Sequence, residues 1–237
     1  MKTLHAFCFT VALLISISIK ASYKVYIVHG LGGIGLELSK IKNTIEKSGF
    51  ESEIYWYPSL VRDIDSVGKL LITKIRKENY DTISFVTHSL GGLVVRTLYE
   101  HIKTDSNFPF IHRIVMVAPP NQGSPVADFF VQWSLARFIV GPNLKNLTTN
   151  KSTGASRYPI PAAEVGVISG GRGKENGYNY FLNGDNDGVL LPEMTKMGIE
   201  KDVVFVKAAH VELVFNSEVN KMVVNFLKTG KFTSLVF

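Results

Sequence analysis

The 237-residue sequence contains a single cysteine, Cys8, close to its amino terminus. One cysteine cannot form an internal disulfide, and no thiolate nucleophile or cysteine-ligated zinc site can lie in the rest of the chain. We therefore expect the chemistry of the folded domain to use oxygen and nitrogen groups alone.

The charged residues are also not concentrated in any one stretch of the sequence. The net charge of +6 is spread along the chain, and no basic stripe alternates with aromatic residues, so we expect no nucleic-acid partner. With 46% hydrophobic and 19% charged residues, the composition is that of a globular protein, and the length suits one domain. A weak attraction to anionic lipid surfaces is compatible with this charge. The sequence carries no signal for an oligomeric state.

One apolar run without charged residues spans residues 7–19, between Lys2 and Lys20. This run is shorter than the ~20 residues that a membrane-spanning helix needs, so a membrane anchor is a less favoured interpretation than a signal peptide. A first strand or helix of the domain core is also less favoured. A basic start, an apolar centre and small residues after it are typical of a secretory signal peptide. We predict a signal peptide over residues 1–21, a single domain over 22–237, and a secreted or periplasmic location.

Short β-branched runs alternate with amphipathic ones from Tyr23 onwards. The pattern predicts strands at 23–28, 51–57, 82–86, 111–117, 164–168 and 203–206, and helices at 37–47, 65–77, 90–102 and 216–227. Such alternation favours parallel strands joined by helical crossovers. The prediction is a three-layer α/β sandwich with a compact, mainly parallel sheet of about six strands, whose carboxyl ends surround one crevice.

Residues 119–163 interrupt this alternation. They contain the run VADFFVQWSLARFIV, in which helical spacing places Phe129, Phe130 and Trp133 on one face with Val126. We interpret the segment as a small cap inserted over the crevice, with these three aromatic residues as substrate-binding candidates. The alternative is an ordinary core helix, which shows the same apolar spacing.

The most specific motif is ISFVTHSLGGLVVR, residues 83–96. A buried strand, a tight turn at Ser89 and a helix form the arrangement that holds a serine hydroxyl clear of a sheet as a nucleophile. Small residues must flank the serine, which Gly91 satisfies, whereas Thr87 stands where such motifs usually have their first glycine. We predict that Ser89 is the catalytic nucleophile.

A second motif, VYIVHGLGG at residues 25–33, runs from a strand into a glycine-rich turn. Acyl transfer needs hydrogen-bond donors for the oxyanion of its tetrahedral intermediate, and backbone amides supply them without reorganisation. We assign this role to the N–H groups of Leu31 and Leu90. A phosphate-binding loop is the alternative, but the glycine spacing is wrong and no Gly-Lys-Ser/Thr follows.

The general base is expected near the end of the chain if the order is serine, acid, histidine. His210 follows the last predicted strand and precedes the last helix, so we predict that it is the base. For the acid we favour Asp187 in NGDNDGVL over Asp185, with Glu175 a distant third. The same stretch has the first ligand positions of a calcium loop but lacks the glutamate at its twelfth position.

Together these motifs resemble the lipase branch of the α/β-hydrolases, which includes bacterial triacylglycerol lipases, serine esterases and inositol deacylases. THSLGGLVVR at 87–96 and HGLGG at 29–33 are similar to that group, as are APPNQGSPVAD at 118–128 and NDGVL at 186–190. The resemblance implies a triad of Ser89, Asp187 and His210, with Leu31 as an oxyanion donor, and requires neither a cofactor nor a metal. Thr87 and the absence of two leading strands depart from the group's pattern.

The expected activity is hydrolysis of carboxylic esters through an acyl-enzyme, with lipid or acylglycerol esters as the favoured substrates and transient contact with a lipid interface. A short-chain carboxylesterase and an acyltransferase would use the same acyl-enzyme. A hydrolase-fold binding protein without activity is the alternative from another class.

Overall fold

The computed structural model describes residues 22–233. The predicted signal peptide at 1–21 and Cys8 lie outside the described residues. Six strands form one sheet in the order β2-β1-β3-β4-β5-β6, and every neighbouring pair is parallel. The predicted three-layer sandwich is confirmed, with a described sheet that is wholly parallel. No helix among the described residues is long and apolar enough to cross a membrane.

The elements lie close to their predicted positions. The strands are β1 (Tyr23–Val28), β2 (Glu51–Tyr55), β3 (Thr82–His88), β4 (Phe110–Val117), β5 (Glu164–Gly171) and β6 (Asp202–Lys207). The α-helices are α1 (Ser39–Lys47), α2 (Ile64–Glu78), α3 (Leu90–Ile102), α4 (Pro125–Phe130), α5 (Ser134–Val140), α6 (Glu212–Phe215) and α7 (Ser217–Thr229). Short 3-10 helices cover Leu36–Leu38, Pro142–Leu147, Ala155–Arg157 and Pro192–Thr195.

Two apolar cores, one on each face of the sheet, hold the layers together. Helices α2 and α3 contribute to the core on one face, and α1, α6 and α7 to the core on the other. Helix α2 shows how the sequence produces this packing. Asp63 caps its first turn by accepting a hydrogen bond from Ser66 N–H, and Val67, Leu71 and Ile75 form a fully buried stripe.

The strand order places two loops side by side at the carboxyl edge of the sheet. Strand β1 lies between β2 and β3. The connection after β1 therefore runs towards one edge of the sheet, and the connection after β2 returns past β1 to the strand on its other side. Ligands of open α/β sheets bind where the strand order reverses in this way. The turn after β1 and the turn after β3 are therefore neighbours at the position where a site is expected.

Residues 119–163 fold into α4, α5 and two 3-10 helices between β4 and β5. The expectation of one continuous helical face is wrong, because the chain leaves the helix after Phe130, and Trp133 is the residue preceding α5. The core-helix alternative is wrong for α5, which has no buried residue. Without a core to pack against, the run has little to hold it as one longer helix.

Two buried polar side chains anchor this segment to the body of the protein. Arg96 on α3 donates to the backbone oxygens of Asn121, Tyr158 and Pro159. Asn143 donates from Nδ2 to the backbone oxygens of Ser59 and Arg62. Because a buried polar group that loses its partners is costly, these contacts fix the segment's position over the sheet.

Candidate active site

Ser89 occupies a strained turn between β3 and α3. Its backbone has φ 51° and ψ −124°, a conformation that non-glycine residues rarely adopt and that is characteristic of a nucleophile elbow. The turn is held by Ser89 N–H, which donates to Val117 O at 2.9 Å. A Cβ at Gly91 would lie 2.3 Å from Val28 O, so only glycine allows α3 to start this close to β1.

Thr87, which departs from the usual motif, lies beside Gly92, the second glycine after the serine. The threonine is buried, and its Oγ1 has no hydrogen-bond partner among residues 22–233. A Cβ built on Gly92 would lie 3.5 Å from that oxygen and 3.1 Å from Pro119 Cβ. A Cβ at position 92 would thus be in ordinary van der Waals contact with Thr87, so the threonine side chain fits beside this position.

His210 and Asp187 form a buried hydrogen-bonded pair. The loop after β6 carries His210, whose Nδ1 lies 2.7 Å from Asp187 Oδ2, and Asp187 is 2% exposed. The other carboxylate oxygen, Oδ1, accepts from the backbone N–H groups of Val189 and Leu190. When Nδ1 carries the ring proton, its N–H donates a hydrogen bond to the carboxylate. Nε2 of His210 then carries a lone pair and can accept a proton.

The structure separates the two candidate acids. Asp185 accepts hydrogen bonds from the backbone N–H groups of Arg172 and Gly173, whereas Asp187 faces His210. Asn186 between them is fully buried, and its side chain bonds to four backbone groups of the loop that carries Asp187. Nothing in the sequence pattern singled out Asn186. Within residues 22–233 no cluster of three or more His, Cys, Asp or Glu residues is arranged to hold a metal ion.

His88, next to the nucleophile, contacts the loop of His210. Its Nε2 lies 3.2 Å from the backbone oxygen of His210, and the two rings are 5.0 Å apart between centroids. Burial, and after it the neighbouring His210, lowers the pKa of His88 to about 3. A neutral His88 donates to this carbonyl oxygen from Nε2–H, which fixes the main chain that carries the general-base candidate.

The turn after β1 packs directly on the elbow. A Cβ at Gly30 would lie 3.1 Å from Ser89 Cβ, so the two turns touch. His29 stiffens this turn, because its Nε2 accepts from Tyr57 N–H at 3.2 Å and its ring stacks on the Tyr57 ring at 4.2 Å. Burial lowers the pKa of His29, which keeps that nitrogen available as an acceptor.

The two amides proposed as oxyanion donors lie beside Ser89. Leu31 lines the same cavity as the serine, and Leu90 is the first residue of α3. Neither N–H donates a hydrogen bond within the part of the chain that the structure describes. Unpaired amides beside a helix N-terminus favour developing negative charge.

Ser89 and His210 line one cavity of about 250 Å³, although no hydrogen bond joins their side chains in the described chain. Catalytic hydrogen bonds are often long in unliganded enzymes and tighten when substrate binds. Phe130 also lines this cavity, whereas Phe129 faces a neighbouring one and Trp133 lines neither. These three aromatic side chains are 44%, 58% and 59% exposed, respectively.

Comparison with known proteins gives a partial family match and clear structural matches. A family model described as a domain of unknown function (DUF7379) matches residues 55–149. No curated protein sequence matches the chain.

Similar solved structures include the mature lipase BlEst2 of Bacillus licheniformis, with 18% identity, 89% of this chain and 93% of that chain covered, and a TM-score of 0.67. The metagenomic carboxyl esterase MGS0156 has 17% identity, with 81% of this chain and 66% of that chain covered, and a TM-score of 0.61. A carboxylesterase structure from Nitrososphaera gargenis has 12% identity, coverage of 87% and 90%, and a TM-score of 0.55. With the parallel six-stranded sheet and the serine-bearing elbow, these likenesses show that the chain has the α/β-hydrolase fold.

Proposed function

We propose that the protein is a carboxylic ester hydrolase in which Ser89, His210 and Asp187 form a catalytic triad. The observation that carries the proposal is the buried His210–Asp187 hydrogen bond of 2.7 Å, in a loop that brings His210 to the cavity of a strained serine. A strained serine that reaches a cavity and an imidazole oriented by a carboxylate are the features that acyl transfer requires. The similarity to lipase and esterase structures supports the same activity.

The proposed reaction has two steps. His210 Nε2 takes the proton of Ser89 Oγ as that oxygen attacks the ester carbonyl, and the protonated ring then gives the proton to the leaving alcohol. Water, deprotonated by the same nitrogen, attacks the acyl-enzyme, and Ser89 regains its proton as the acid leaves. The N–H groups of Leu31 and Leu90 would stabilise the oxyanion in both steps.

The lining of the cavity favours esters of apolar acids. Beside Ser89 and His210 it contains mainly aliphatic and aromatic side chains, including Val126, Leu144 and Phe130. An apolar lining rewards burial of hydrocarbon and penalises buried charge. We therefore propose lipid or acylglycerol esters as substrates. The exposed side chains of Phe129, Phe130 and Trp133 support transient contact with a lipid interface.

A fluorophosphonate probe tests the activity directly. We expect labelling of the wild-type protein at Ser89, and a 10³- to 10⁶-fold lower kcat, as a rough range, in Ser89→Ala. Ser124→Ala is the matched control: Ser124 lines the same cavity, but its hydroxyl donates to Val189 O, so the variant should still be labelled. A folded wild-type protein that takes no label would contradict the proposal and favour a binding protein without activity.

Two further assays separate the related activities. Hydrolysis rates on p-nitrophenyl esters of increasing chain length, with and without micelles, distinguish a lipid esterase from a short-chain carboxylesterase. Product analysis in the presence of an added alcohol reveals an acyltransferase.

Export is proposed from residues 1–21, and the amino-terminal sequence of protein recovered outside the cytoplasm tests it.

A further inference from the structure

A second apolar cavity lies across α4 from the cavity of Ser89. It has a volume of about 370 Å³ and is lined by Pro125, Val126, Phe129, Phe130, Asn179, Phe181 and Leu182. Val126 and Phe130 also line the cavity of Ser89. These two residues are one helical turn apart on α4, so their side chains form the partition between the two cavities.

The second cavity has the chemistry of a hydrocarbon site. No titratable side chain lines it, and Asn179 is its one polar lining residue. That side chain is already engaged, because Nδ2 donates to Gly188 O and Oδ1 accepts from Phe181 N–H. A phosphate or charged headgroup would therefore find no partner there, whereas an alkyl chain would be stabilised by moving from water into the cavity.

The walls of this cavity belong to the segments that form the catalytic site. One wall is α4, and the other is residues 179–182 of the loop that also carries Asp187. Asn186 ties the two parts of that loop together, since its side chain bonds to backbone groups of Asn179 and Gly188. The second cavity is thus fixed in position relative to His210.

We propose that the second cavity is the binding site for the distal part of the acyl chain, with Phe130 and Val126 as the partition that the chain passes. The proposal rests on the proposed ester hydrolase activity and specifies its substrate as an ester of a medium- or long-chain fatty acid. The Ser89 cavity alone, at about 250 Å³, is smaller than most ligand sites. Together the two cavities reach the typical range of about 300–1,000 Å³.

The test compares two exposed aromatic residues replaced by serine. Phe181 lines the second cavity and is 97% exposed, whereas Phe138 on α5 lines neither cavity and is 86% exposed. The readout is the ratio of kcat/KM for p-nitrophenyl dodecanoate to that for p-nitrophenyl butyrate. Phe181→Ser should lower this ratio about tenfold, the effect of one or two lost methylene contacts, and Phe138→Ser should leave the ratio at its wild-type value.

A second measurement does not depend on turnover. In the Ser89→Ala background, a fluorescent long-chain fatty acid should bind, and Phe181→Ser should weaken its binding by a similar factor. An unchanged ratio and unchanged fatty-acid binding in Phe181→Ser would overturn the inference, as would equal effects of Phe181→Ser and Phe138→Ser. Failure of the ester hydrolase proposal would look different: the wild-type protein would neither hydrolyse the butyrate ester nor react with a short-chain fluorophosphonate.

Discussion

Replacing Asp187 by asparagine changes the tautomer of the His210 ring and little else. Oδ1 of Asp187 accepts from two backbone N–H groups, at 2.9 and 2.7 Å, so the amide oxygen of the new side chain would take that position. The amide NH₂ would then face His210 Nδ1 and donate to it. The ring proton moves to Nε2, and the base loses the lone pair that must accept the Ser89 proton.

We expect kcat to fall about 10⁴-fold, which corresponds to the loss of about 5.4 kcal/mol of transition-state stabilisation. KM should change little, because Asp187 is not among the residues lining the cavity of Ser89. Folding should also be preserved, since asparagine keeps both backbone hydrogen bonds. Steady-state kinetics on a soluble butyrate ester, with the melting temperature as a check of folding, measure both effects.

Asp185→Asn is the matched control, two residues away on the same loop. Among residues 22–233 its carboxylate accepts only from Arg172 and Gly173 N–H, so we expect kcat to fall by less than about tenfold. If Asp185→Asn abolished activity while Asp187→Asn retained it, the assignment of the triad acid would be refuted.

Two other predictions concern stability. Gly91→Ala should lower the free energy of unfolding by about 3 kcal/mol, because the new Cβ would lie 2.3 Å from Val28 O. Gly92→Ala should leave the free energy of unfolding nearly unchanged. Thermal melts of both variants measure this difference, and equal melting temperatures would contradict it. The pKa of His88 falls from 6.5 in the unfolded chain to about 3 in the folded protein, so the unfolded chain binds an extra proton between these values. The free energy of unfolding should therefore decrease as the pH falls through this window, by on the order of 2–4 kcal/mol, and level off below it. Urea denaturation at several pH values should show a shallower decrease in His88→Gln, and an identical decrease in both proteins would argue against the burial of a neutral His88.

Much of the fold could be predicted from the sequence because its signals are local. The apolar stripe of α2 and the β-branched runs report burial through periodicity alone, and the bounds of β1 and α3 agree with the prediction to the residue. The turn at Ser89 has a local signature as well, since strand, small residues and helix are consecutive.

The parts that could not be predicted depend on contacts between distant segments. Arg96 is an ordinary helical residue in the sequence, and its partners lie 25 to 63 residues away. The break after Phe130 reflects the lack of a packing surface, which helical spacing does not report. The second cavity forms between residues 125–130 and 179–182, and neither stretch alone indicates it.

The buried guanidinium of Arg96 has a consequence for protein engineering. Two turns along α3 from the nucleophile, it donates to backbone oxygens at both the beginning and the end of the inserted segment. A transplanted segment would preserve this attachment only if its backbone placed the carbonyl groups of positions 121, 158 and 159 within hydrogen-bond distance of Arg96. Residues 119–163 should therefore be exchanged as one block, because a junction inside the block would displace some acceptors of Arg96 and not others, and a buried guanidinium that loses an acceptor is costly.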